Sequence, residues 1–301
     1  MSDHLPMRFY LEPSLRERAE SGAHPFVKLM QETVEKFLFR VEFHDLPPSI
    51  LLPDVHALCH MVKPDIPRAL IFRRVYEYPF WQIEQTSERW NWDTAKATFD
   101  PARVSGDAAR FYGFWQRRLF DDAVKQTRQR GYIYVPLQGR LLQKRSFQKC
   151  SPLDMIGHCL IHAPDRQIIA TLHPKEAYGA AELAALETLA RQNPRLEIAK
   201  GDMVRYLQDC DFVVSQNSGA AFSGLFFGKP ALLFAGIDFH HIAIKANMDD
   251  LQKSFDQVAI HQPDYAAYIW WFWQSQSINA GKDDARDRIA ARLRRFGWPM
   301  D

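Results

Sequence analysis

Between Gly131 and Ala235 the chain alternates short apolar runs with helical patterns: "YIYVPLQ", "QIIATLHP", "LEIA", "FVVSQ" and "ALLFA" are separated by "SPLDMIGHCLIHA", "AAELAALETLARQ", "DMVRYLQDC" and "GAAFSGLFF". Strands joined by helices of about 10–15 residues require crossover connections, which are right-handed and build a parallel sheet. The alternation therefore predicts a doubly wound α/β lobe. In such a sheet, ligands sit beyond the carboxyl ends of the strands, so the residues just after each strand are the ones to inspect for chemistry.

The front of the chain repeats the pattern less cleanly. "MRFYLE", "HPFVKLMQETVEKFL" and "FRVEFHD" read as one strand–helix–strand unit, and "VHALCHMV" and "RALIFRRVYEY" as further strands, punctuated by "LPPS" and "KPDIP", whose prolines forbid a continuing helix. "DAARFYGFWQRRLFDDAVKQTRQR" predicts one long helix ended by Gly131. A chain of 301 residues is long for one core. The expected division is a front lobe over 1–106, a bridging helix over 107–130, a rear lobe over 131–260 and terminal helices over 261–301 that pack back toward the front. The tryptophan-rich segments "YEYPFWQIEQTSERWNWD" and "YAAYIWWFWQSQ" read as packing clusters.

Composition narrows the function. With 38 Lys+Arg against 36 Asp+Glu there is no global positive field for a nucleic acid, so attraction for an anion must be local. Cys59, Cys150, Cys159 and Cys210 form neither a CxxC pair nor a disulfide scaffold, which suits a reducing compartment and buried thiols. The start "MSDHLPMRFY" lacks the apolar region of a signal peptide, and no apolar run has spanning length. A cytoplasmic location is expected. The basic amphipathic "RDRIAARLRRFGW" leaves open peripheral association with the cytoplasmic face of the inner membrane, against a packed terminal helix.

Several strand-end residues carry chemistry. His173 follows "QIIATL", and Pro174 ends the ladder there. Ser215, Gln216, Asn217, Ser218 and Gly219 stand between a strand and a helix, where unpaired backbone amides and small polar side chains can seat a phosphate; helix capping by Asn217 or Ser218 is the alternative. Lys229, in "GKP", enters the next strand and is a further donor-side candidate. Gln138 follows the first strand of the rear lobe, with Arg140, Lys144 and Arg145 behind it. As acids able to take a proton from an acceptor, the front lobe offers Glu12 at its first strand's end, and Glu77 and Glu84 in the tryptophan-rich stretch. His24, in "GAHPF", begins a helix as a cap or an acceptor-facing group.

The order "VPLQ", "LHPKE", "CDFVVSQNSGAAFSGLFFGKPALLFAG" and a late aromatic helix resembles the capsule polysaccharide biosynthesis proteins, glycosyltransferases related to the bacterial CMP-Kdo users, over about 131–273. The resemblance implies two Rossmann-like lobes (GT-B-like) with parallel sheets and C-terminal helices packing back across the cleft. It implies a nucleotide-sugar donor, CMP-Kdo among the candidates, held by the rear lobe, and a glycan or lipid-linked glycan acceptor held by the front lobe. On its motifs His173 would bond the nucleotide phosphate, Ser215, Asn217, Ser218 and Gly219 would form the seat, and Gln138 would line the cleft. With no HExxH or CxxC pattern, the expectation is transfer with no metal and no cofactor, with Glu12 or Glu84 as the catalytic acid group. Two alternatives remain: a nucleotide-sugar 2-epimerase or glycerophosphate transferase, and a non-catalytic relative that binds a nucleotide or glycan. The absence of an acid between Gln138 and Asp154 favours the last.

Overall fold

The computed structural model describes residues 4–47, 55–104 and 106–301; residues 1–3 of the expected leader-free start, and Pro48 and Ser49 of the proline turn, lie outside them. The chain divides into two compact units, one of residues 1–97 with 271–301 and one of residues 98–270.

In the first unit β1 (Leu5–Leu11) runs through α1 (Pro13–Glu20) and α2 (Pro25–Glu35) to β2 (Phe39–Asp45), followed by β3 (His56–His60), β4 (Ala69–Arg74), β5 (Phe80–Glu84) and the short α3 (Asp93–Lys96). α1 was hidden in the sequence by its polar composition. It buries only Ala19 and starts at Pro13, a residue pre-set for a helix's first turn. α2 is amphipathic and buries Phe26, Val27, Met30, Thr33 and Val34. Its N-cap is His24, whose Nδ1 accepts a hydrogen bond from the Val27 amide at 3.1 Å.

In the second unit α4 (Ala108–Phe120) precedes β6 (Tyr132–Pro136), α5 (Pro152–His162), β7 (Gln167–Leu172), α6 (Ala180–Gln192), β8 (Leu196–Lys200), α7 (Met203–Asp209), β9 (Phe212–Ser215), α8 (Gly219–Gly224), β10 (Ala231–Leu233), β11 (Ile244–Lys245), α9 (Leu251–Ile260) and α10 (Tyr265–Trp270). The single helix expected over 107–130 stops at Phe120, because Asp121 takes a positive φ of 48° and the chain continues as a 3-10 turn over Asp121–Gln126. After α10 the chain belongs to the first unit, with the two-residue β12 (Ile278–Asn279) and α11 (Ala285–Arg295).

The second unit's sheet has the order β11-β10-β9-β6-β7-β8, all parallel. Numbered within the unit this is the dinucleotide-fold order 3-2-1-4-5-6 read from the other edge, with the first strand in the middle. The first unit's sheet has the order β12-β5-β4-β3-β1-β2. Here β1 to β4 are parallel, while β5 runs antiparallel to β4 and β12 antiparallel to β5. Each unit is thus an α/β layer built on a largely parallel sheet.

The first tryptophan-rich segment and the part of the second from Trp271 onward contribute to the core of the first unit. Trp81 stacks on Phe26 at 4.6 Å, Trp273 stacks on Phe80 at 4.6 Å, and the Trp273 indole N–H donates to the Val75 carbonyl. α11 turns its apolar side, Ala285, Ile289, Ala290 and Leu293, into the same core. Its apolar face is therefore occupied by packing, which answers the amphipathic pattern without a membrane, and among the described residues no helix is long and apolar enough to cross one. All four cysteines are buried free thiols, and burial pushes Cys59 up to about 12 and Cys150 up to about 11.

His24 gives the first unit a pH dependence. Burial, then the nearby Arg18, depress its imidazole to about 4. A depressed histidine holds its stabilisation above the unfolded pKa of about 6.5 and loses it as pH falls toward the folded value. Between pH 7 and pH 5 this group accounts for a loss of about 2 kcal/mol. His24→Asn, which keeps a capping side chain, is expected to flatten the urea-unfolding free energy over that interval by this amount relative to the parent chain.

Candidate functional site at the carboxyl edges of the two sheets

In the second unit the chain leaves β6 toward β7 and leaves β9 toward β10, so the two crossovers part between neighbouring strands. Their divergence opens a crevice at the carboxyl ends, the topological switch point where open α/β sheets bind ligands. Gln138 follows β6, Ser215 closes β9, and His173 follows β7 on the other side of β6. Neighbouring strands lie about 4.8 Å apart, so the ends of β7 and β9 are separated by roughly 10 Å, with β6 between them.

The loops after β6 and β7 are tied together. The Tyr178 hydroxyl accepts from the His173 amide at 2.8 Å and donates to the Leu137 carbonyl at 3.4 Å. Gly139 packs against the Glu176 side chain, whose Oε2 would lie 2.8 Å from an added Cβ. The His173 ring is exposed, and its Nδ1 accepts from the Lys175 amide at 3.3 Å. With Nδ1 used as an acceptor, a neutral ring carries its proton on Nε2 and offers it outward.

The turn after β9 is preorganised by its own hydroxyls. The buried Ser215 Oγ accepts from the Ser218 amide at 3.0 Å, and Ser218 Oγ accepts from the Ala220 amide at 3.2 Å, capping α8. Capping is therefore part of what Ser218 does, and each hydroxyl keeps a proton to donate. Asn217 and Gly219 are half-buried in the same turn.

The segment from Gln138 to Cys150 contributes further residues, among them Gln148, which the motifs do not single out. It runs past the carboxyl end of β10, with the Lys149 amide on the Phe234 carbonyl and the Gly236 amide on the Phe147 carbonyl. Arg145 is half-buried, its guanidinium 4.8 Å from the Phe147 ring centre and its Nε buried without a hydrogen-bond partner. Gln148 fixes this backbone by accepting from the Arg145 amide at 2.8 Å. Gln216 donates to the Cys150 carbonyl at 3.0 Å, and its Oε1 is also buried and unpartnered. The one signal in sequence was polar residues of this loop lying among Phe147 and Cys150, a mixture that marks buried polar positions.

Lys229 lies elsewhere. It is 2% exposed, and its Nζ donates to the Cys210 carbonyl at 2.6 Å and the Arg128 carbonyl at 2.5 Å. Cys210 precedes β9, so this ammonium serves the amino end of the strand, away from the seat after Ser215.

In the first unit Glu12 follows β1 and lies beside His60, the last residue of β3, with Glu12 Oε2 2.7 Å from His60 Nδ1. Glu84 is removed from that edge by strand direction. Because β5 is antiparallel, Glu84 pairs with Ile71 in the amino half of β4 rather than at its carboxyl end. It is 2% exposed and bound into an ion cluster, with Arg292 bridging Glu84 at 2.5 Å and Asp93 at 2.6 Å. Desolvation pushes Glu84 up to about 7 against the pull of Arg292. A raised acid can mark a catalytic site, but this one is sealed by its partners and acts as a buried counter-ion of α11. Glu77 lies in the turn between β4 and β5. A cavity of about 420 Å³ in this unit opens beside Leu5, His56 and Ala69, the amino ends of β1, β3 and β4, on the edge opposite Glu12.

The sequence matches no protein-family model and no curated protein. Among solved structures the fold is similar to two described as Thermosulfurimonas dismutans KpsC, one a beta Kdo 2,7 transferase and the other a beta Kdo 2,4 transferase. The first is 10% identical over 88% of each chain and the second 11% identical over 88% of this chain and 89% of that one, both with a TM-score of 0.50. A UDP-GlcNAc 2-epimerase from Neisseria meningitidis aligns over 97% of this chain and 100% of its own, with a TM-score of 0.36 and 11% identity. The likeness is one of fold alone, a GT-B-like pair of Rossmann-like α/β units.

Lys229→Met is expected to lower unfolding stability by about 2 kcal/mol, because it strands two carbonyls, and urea unfolding of the variant beside the parent chain checks this.

Proposed function

We propose that the chain is a metal-independent glycosyltransferase that takes a sugar from a nucleotide donor, with CMP-Kdo the favoured candidate, and transfers it to a glycan or lipid-linked glycan of the bacterial surface polysaccharide. The observation that carries the reading is the second unit's switch point. There a buried guanidinium Nε without a partner, an outward-facing imidazole N–H and the polar turn from Ser215 to Gly219 share one carboxyl edge. A buried unpaired donor costs about 1–3 kcal/mol, a cost that a bound phosphate oxygen would remove.

In this reading His173 and Arg145 hold the nucleotide phosphate, the turn of Ser215, Asn217, Ser218 and Gly219 seats it, and Gln138 lines the site. Arg140 and Lys144, exposed on the same loop and without an ion-pair partner among the described residues, draw the anionic donor in. As the bond to the sugar breaks, negative charge gathers on the departing phosphate, and fixed donors aimed at that charge lower the barrier without reorganising. The carboxyl edge of the first unit, with Glu12, supplies the acceptor side. The one DxD triplet, Asp209-Cys210-Asp211, precedes β9 at the strand's amino end, and its carboxylates are paired with Arg130 and Arg166, which supports transfer without a metal.

A thermal-shift titration tests the donor class. CMP is expected to raise the melting temperature progressively with concentration, and His173→Ala, an exposed substitution, to weaken binding about tenfold without changing the unliganded melting temperature. A larger shift with UDP moves the donor to a UDP-sugar. No shift with any nucleotide contradicts the proposal.

A further inference from the structure

The cavity of about 420 Å³ at the amino edge of the first unit's sheet lies wholly within that unit. It is bounded by the first residues of three parallel strands, Leu5 of β1, His56 of β3 and Ala69 of β4, and by the turn that follows α11. Gly297 takes a left-handed φ of 82° in that turn, and the Trp298 amide returns to the Leu293 carbonyl at 3.1 Å. A glycine just past a helix end adopts this conformation without strain. The turn lays Trp298 against His56, with ring centres 4.8 Å apart and planes at 68°, while Phe39 meets the same imidazole at 5.3 Å and 79°.

Held between these two aromatic rings, His56 is only 7% exposed. Neither of its ring nitrogens has a hydrogen-bond partner among the described residues, and neither is sealed. The ring lines the cavity, so its open nitrogens face that space. Buried polar groups are normally bonded, and an imidazole packed this tightly with its nitrogens open keeps its bonding capacity for a molecule that enters. The charge around it has one sign. Lys63 and Arg68, both exposed, stand at the rim, and no carboxylate is among the described residues that line the space. Burial, then Arg68, holds the imidazole below its ordinary range, and a negative charge beside it would offset both effects.

We infer that this cavity is a binding site for a compact organic carboxylate, its anionic head taken by His56 between Lys63 and Arg68 and its apolar body laid against Leu5 and Phe296. The volume falls in the range of small-molecule sites and far exceeds a bare ion. Much of the wall is apolar, and Leu5 is 41% exposed at it, apolar surface that a bound molecule would cover. A neutral imidazole offers a single N–H, which suits the two-oxygen head of a carboxylate rather than the three oxygens of a phosphate ester. The site goes beyond the transferase reading and does not depend on it. It lies on the sheet edge opposite Glu12, and the proposed nucleotide seat belongs to the other unit.

Titration of the full chain with benzoate, and with its neutral counterpart benzamide, tests this. Long-range ¹H–¹⁵N spectra of the histidine rings, with His56 assigned by its loss in His56→Gln, are expected to show the His56 signals moving with benzoate and staying in place with benzamide. Lys63→Glu, a substitution on the exposed rim, is expected to weaken benzoate binding about tenfold while leaving the urea midpoint of the unliganded chain unchanged. This second variant keeps the test decisive if His56→Gln does not fold. His56 signals that ignore benzoate, a response to benzamide equal to that with benzoate, or a Lys63→Glu variant with the parent affinity overturns the inference. Benzoate binding is expected whether or not the chain binds a nucleotide, so this result and the fate of the transferase reading are read separately.

Discussion

Two neighbouring parallel strands whose crossover helices depart to opposite sides leave an opening at their carboxyl ends that neither helix covers. Each unit of this chain has one such pair, β6 with β9 and β1 with β3. The strand-end groups described above stand beside these openings: Gln138, His173 and the turn after Ser215 at the first, Glu12 and His60 at the second. The position follows from handedness and strand order. The side chains then decide what the openings can hold, and in the second unit they are donors. In the first they are an acid and an imidazole.

The same contrast separates structural from available charge. Lys229 and Arg292 are cations whose donors are consumed within the fold, the one by carbonyls at the amino end of β9 and the other by Glu84, Asp93 and the Ile83 carbonyl. Removing a partner from such a buried pair costs several kcal/mol, so these groups are fixed where they are. Arg145 is different. It is held by packing against Phe147 while its Nε has no partner, so its capacity to bond is left for something else.

Much of the second unit was legible because its strands are continuous apolar runs and its helices start with recognisable caps, such as Ser151 before Pro152 in a capping box with Asp154. The first unit was harder. β5, "FWQIE", is buried at every position, so it carries no alternation to mark a strand, and its antiparallel direction was not encoded locally. That direction is what sets Glu84 apart from Glu12. The helix after Asp107 looked longer than it is because its charged and apolar spacing continues past Phe120, whereas the break is a backbone turn at Asp121. His173 and the Ser-Asn-Ser-Gly turn could be read because they directly follow strands. His60 could not, since its meaning comes from Glu12, brought beside it by the register of two parallel strands. Lys229 read as a binding residue because sequence shows a lysine's neighbours along the chain and not the carbonyls it caps across the sheet.

The account is tested most directly by a crystal structure of the chain with CMP. It predicts the phosphate over the gap between β6 and β9, within hydrogen-bond distance of His173 Nε2, the Arg145 guanidinium and the turn from Ser215 to Gly219. A nucleotide seated at the amino ends of either sheet, with these groups untouched, would contradict it.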